Sequence, residues 1–108
     1  MATRHAEPNE VINVRPLGAA LSDSRTQTLI NTSGLEVIRL VLSAGKEIAT
    51  HKARGAITVQ CLEGRVSFSA SGTAHILEAG QLLYLEADAP HSVRAIQAAS
   101  LLLTIRLN

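Results

Sequence analysis

Glycines at positions 34, 45, 55, 64, 72 and 80 cut the chain into apolar runs of strand length. That rhythm predicts an all-β sandwich or barrel, because each short run ends at a residue suited to turns. Leu35–Leu42 alternates imperfectly, with Leu35, Val37, Arg39 and Val41 on one face. Ile57–Leu62 and Arg65–Ala70 flank Glu63-Gly64, which reads as a hairpin turn. Ile76–Leu77, Leu82–Leu85 and Ser92–Ile96 follow. In the closing run Leu101, Leu103, Ile105 and Leu107 share one face, opposite Leu102, Thr104 and Arg106. No ten-residue stretch carries a helical period, and Leu17–Arg25 predicts a helical turn at most.

A chain of 108 residues holds one core. Residues 1–10, polar and containing Pro8, read as a loose tail, and 11–108 as a single domain. Apolar residues make up 46%, yet the aromatics are Phe68 and Tyr84 alone, so Val, Ile, Leu and Ala must build the interior. A net charge of +1, with the basic residues scattered, argues against a nucleic-acid surface. Cys61 is the one cysteine, which excludes an internal disulfide and fits a reducing compartment. The first ten residues lack the apolar stretch of a signal peptide, and no apolar run approaches the ~20 residues of a membrane helix. A cytoplasmic protein is the expectation.

One ordered set of landmarks narrows the fold further. Gly45 precedes His51 by five intervening residues, Gly64 follows, and Gly80 precedes His91, which follows Pro90, by ten intervening residues. In these spacings the stretch from Leu35 to Leu107, roughly two-thirds of the chain, resembles the small single-domain bacterial cupins of the RmlC-like superfamily. Their first motif runs Gly, five residues, His-x-His, a Glu or Gln four residues on, and a closing Gly. Their second runs Gly, five residues, Pro-x-Gly, two residues, His, three residues, Asn. Gly45, His51, Gly64, Gly80 and His91 keep these positions, and fifteen residues separate Gly64 from Gly80, as in the most compact members. The resemblance implies a double-stranded β-helix, the jelly-roll barrel.

It also implies a metal pocket, and there the chain departs from the pattern. Residues two apart on a strand point the same way, so His-x-His aims two imidazoles at one point. Here Ala53 and Ile57 stand where the second and third ligands belong, leaving His51 and His91. Zinc and iron sites with open positions use three protein ligands, so these two imidazoles promise at most a weakly held divalent metal and no tightly bound cofactor. Glu86, Asp88 and Ala95 replace the Pro, Gly and Asn of the second motif.

His51 and His91 are therefore the candidate pocket residues, as ligands or as an acid and base. Lys52 and Arg54, with Lys46, crowd His51 and suggest a rim that attracts anions. Arg39 shares a face with apolar neighbours and is expected to end in the pocket or at a barrel mouth. Cys61 sits in an apolar strand, as inert packing or a soft ligand. Glu86 and Asp88 are candidates to orient His91. The reading that follows is a small-molecule-binding cupin, anions favoured, with a degenerate two-histidine site. Its rivals are a metal-dependent oxygenase or isomerase using His51 and His91 with further ligands, a metal-free enzyme, and a structural module. A homodimer through the face of Leu101, Leu103, Ile105 and Leu107 is expected.

Overall fold

The structure, a computed structural model, describes residues 4–107. Past a 3-10 turn at Gly18–Asp23 everything regular is strand: β1 (Gln27–Asn31), β2 (Leu35–Leu42), β3 (Glu47–His51), β4 (Ile57–Ala70), β5 (Thr73–Glu78), β6 (Leu82–Leu85) and β7 (His91–Arg106). All pairings are antiparallel. Two long strands organise the barrel. β7 lies beside β4 along its length, from Ile57 opposite Ile105 to Ala70 opposite His91. On its other side β7 pairs first with β3 and then with β2, while β4 carries β6 and then β5. Each long strand thus serves two half-sheets that face each other, the jelly-roll arrangement.

The bend in β4 comes from a bulge. Ile57, Val59 and Cys61 are buried at odd positions, whereas Val66, Phe68 and Ala70 are buried at even ones. The change of parity spans Cys61–Val66, where the register against β7 shifts repeatedly. Gly64 makes it possible: its φ is +82°, and a Cβ there would collide with the Ala98 backbone carbonyl. Glu63-Gly64 is accordingly no hairpin turn, and the two runs it was expected to separate are one strand. The hairpin lies further on, at Ser71-Gly72 between β4 and β5. Likewise Ser92–Ile96 and the closing apolar run are two halves of β7.

The core comprises Leu42, Ile57, Val59, Cys61, Val66, Phe68, Leu77, Leu85, Val93 and Leu101 with smaller residues between them. Leu103 and Ile105 pack against it. Of the face expected to pair two copies, Leu101, Leu103 and Ile105 therefore turn into the barrel, and Leu107, 37% exposed, stays open to solvent. The large apolar side chains most open to solvent on the strands are Leu82 and Tyr84, each 62% exposed.

A segment ahead of β1 straps the outer side of this sheet. Ala6 N–H donates to the Leu29 carbonyl (2.7 Å), and Leu17 and Gly18 N–H donate to the Glu63 carboxylate (2.8 and 3.0 Å). Ser100, fully buried, donates its hydroxyl to the same carboxylate at 2.6 Å. The bulge aims Glu63 at these donors, a known use of such irregularities. Burial by itself raises the Glu63 carboxyl. The bonds from Leu17, Ser100 and Gly18, with the nearby Arg39 charge, outweigh it and hold the group below its ordinary value.

Candidate functional site

His51 ends β3 and His91 begins β7, and the two are direct cross-strand partners. Such a pair brings side chains together on one face. Their Nε2 atoms lie 3.1 Å apart, with ring centroids 4.2 Å apart and planes at 63°. Each Nδ1 sits 3.0 Å from a backbone carbonyl two residues earlier, that of Ala49 for His51 and that of Ala89 for His91. A carbonyl only accepts, so both Nδ1 atoms carry a proton and donate it. The two Nε2 atoms are thereby left facing one another at the cavity. His91 is buried and stacks on Phe68 (5.7 Å, 14°), while His51 is open to solvent. Backbone carbonyls thus orient the imidazoles. Glu86 and Asp88 are exposed, and neither carboxylate bonds to His91.

A cavity of about 310 Å³ opens beside the pair. Ala53, Ile57, Leu103 and Ile105 give it hydrocarbon walls, and Lys52, Arg54, Arg106 and Glu36 give it charge. The loop carrying Lys52 and Arg54 is fixed at both sides. Asp88 N–H donates to the Ala53 carbonyl (2.8 Å) and Arg106 N–H to the Ala56 carbonyl (3.0 Å). Gly55 lets that loop press on the end of β7, since a side chain there would run into the Arg106 carbonyl. Among the described residues the ion pairs are Arg4–Glu10 and Arg65–Glu78, so none of the cavity's charges is neutralised by another. Larger grooves of about 450 and 560 Å³ lie beside the 3-10 turn and the N-terminal segment. Each contains a single charged residue, Arg25 or Arg15, and neither gathers groups that suggest chemistry.

Two residues expected in the pocket lie elsewhere. Arg39 is buried on the opposite face of β2, where its Nη2 donates to the Arg15 carbonyl at 2.9 Å and its Nε finds no partner among the described residues. Leu40 and Leu42 take the inward face instead. Cys61 is fully buried in the core, its thiol directed to the Glu63 and Gly64 carbonyls of the bulge (3.4 and 3.7 Å) and pushed up by burial. Lys46 does not reach the cavity either; Arg106 takes its place. Sequence reasoning missed Glu36 and Arg106. Glu36 stands two positions before Ile38 and four before Leu40 on β2, and only the choice of inward face hid it.

The metal implied by the resemblance does not fit the donors present. Ala53 and Ile57 line the cavity with alkyl groups, and no cluster of three His, Cys, Asp or Glu side chains suited to a metal occurs among the described residues. Two neutral imidazoles fall one ligand short of a catalytic site. No helix among the described residues is long and apolar enough to cross a membrane.

No protein-family model and no curated protein matches the sequence. Solved structures do. A conserved protein of unknown function from Streptococcus pyogenes superposes with a TM-score of 0.77 at 21% identity, covering 100% of this chain and 96% of that one. A cupin superfamily protein from Desulfitobacterium hafniense gives 0.78 at 14% identity, over 95% and 100%. Salicylate 1,2-dioxygenase from Pseudoaminobacter salicylatoxidans gives 0.69 at 23% identity, over 74% of this chain and 25% of the enzyme. At these identities the likeness speaks for architecture, and it agrees with the paired half-sheets and the two long shared strands: this chain has the cupin fold.

Proposed function

We propose that this protein binds a small organic anion in the cavity beside His51 and His91, without a tightly held metal. One observation carries the reading. Three cationic side chains, Lys52, Arg54 and Arg106, meet at a partly apolar cavity with one carboxylate among them and, among the described residues, no ion pair to neutralise them. Cations at the mouth of a low-dielectric cleft focus an anion's approach, and the imidazole pair offers a polar end to a site otherwise walled by Ile57, Leu103 and Ile105. A volume of about 310 Å³ lies at the small end of ligand pockets.

A thermal-shift screen tests this directly. Monocarboxylates with apolar bodies should raise the melting temperature, while neutral sugars of similar size should leave it unchanged, and H51A should remove the carboxylate response. Equal or absent shifts would reduce the cationic rim to solvated surface. Elemental analysis of untagged, dialysed protein should find far less than one divalent ion per chain. A stoichiometric metal would show ligands beyond His51 and His91 and favour an enzyme.

A further inference from the structure

Glu36 breaks the logic of its own strand. It shares the inward face of β2 with Leu40 and Leu42, which pack into the core, and its register partner Ile105 lines the cavity. An inward position of a barrel strand is normally apolar, because an unpaired carboxylate loses solvation there. Yet Glu36 is half-buried and, among the described residues, makes no ion pair and is the sole acid lining the cavity. Departures from local consistency of this kind concentrate at functional positions. Glu36 is carried by the half-sheet of β2 and the end of β7, whereas the imidazole pair is carried by β3 and the start of β7.

We propose that Glu36 is a specificity residue, selecting among anions those whose far end donates a hydrogen bond: a hydroxylated acid with an apolar middle. This rests on the anion reading above and refines it. The acid group meets the imidazoles, with the cationic side chains of the cavity balancing its charge. The hydrocarbon lies on Ile57, Leu103 and Ile105, and the hydroxyl donates to the Glu36 carboxylate. A carboxylate accepts and does not donate, so an ether or halogen at that end finds no partner. Size is consistent, since the cavity holds about ten waters' worth of volume at roughly 30 Å³ each.

Calorimetric titration of the full chain tests the proposal with four probes: 3-phenylpropanoate, its 3-hydroxyphenyl and 4-hydroxyphenyl analogues, and neutral 3-phenylpropan-1-ol. The better hydroxylated acid should bind about three- to tenfold tighter than 3-phenylpropanoate, the scale of one such hydrogen bond. The neutral alcohol should bind far more weakly than any of the acids. In E36L the hydroxyl preference should vanish, while 3-phenylpropanoate binds at least as well because a negative charge has gone. E36Q, closer in shape, guards against a misfolded variant, and should shrink the preference. If the acids bind but hydroxylation makes no difference, or its advantage survives in both variants, the role of Glu36 is overturned and the anion site stands. If no acid binds, both fall together.

Discussion

Glu63 shows how much one side chain can fasten. Its carboxylate takes two backbone N–H donors from the strap and a buried hydroxyl from β7, joining three parts of the chain distant in sequence. In E63Q the amide nitrogen would face donors, so at least one bond is lost and one donor is left unpaired. We expect a destabilisation of about 2 kcal/mol, read from urea denaturation. The carboxyl is held below its ordinary value in the folded protein. Its contribution is therefore complete above the unfolded-state value of about 4.3 and is lost as pH falls through the lower folded value. The melting temperature of the wild type should drop in that acid range, and E63Q should show a smaller drop there. The same residue scale explains what could be read in advance and what could not. His51 and His91 were legible because a fixed spacing places them on facing strands. Arg39 was misplaced and Glu36 overlooked for one reason: both faces of β2 are buried in part, one in the barrel and one beneath the strap. Alternation reports burial and does not say which side is the interior.

At the scale of elements, β4 is the informative case. A glycine between two apolar runs reads as a turn, and a bulge that reverses inward parity leaves the same trace in sequence. Only the partner strand separates the two, because at Gly64 the Ala98 carbonyl occupies the space of a side chain. Gly80 offers a control, with φ +90° and nothing near its missing Cβ. G80A should cost about 1–2 kcal/mol, the penalty of a left-handed backbone alone. G64A should cost at least about 2 kcal/mol more by chemical denaturation, since backbone must move as well. Equal effects would show that the bulge yields easily. β2 and β6 were legible within their bounds because turn residues close both ends, whereas β1 and β3, short and mostly polar, gave no pattern to read.

Seen as a whole, the molecule hangs on β7, which bonds to β4 throughout and to β3 and β2 in turn. The jelly roll was legible as a class because glycine-spaced runs and motif spacing agreed, although the count of strands was not. Neither half-sheet can open without stripping the same strand. Slowly exchanging amides in β2 and in β3's partner stretch of β7 should therefore share one opening free energy, equal to that of global unfolding in hydrogen exchange. Two separated protection classes would mean that the halves melt independently. The arrangement also fixes a moment in the protein's making. β2 waits for Ala99–Arg106, β3 for the start of β7 and β4 for all of it, so each leaves the ribosome with one edge still lacking its partner. Until Arg106 emerges, the nascent chain exposes unpaired edges rich in Val, Ile and Leu. Closure is then a single late event over long sequence separations, in the slow regime of all-β folding. The order of pairing thus sets the chain's hazard, aggregation through open edges, at the stage of synthesis rather than in the finished barrel.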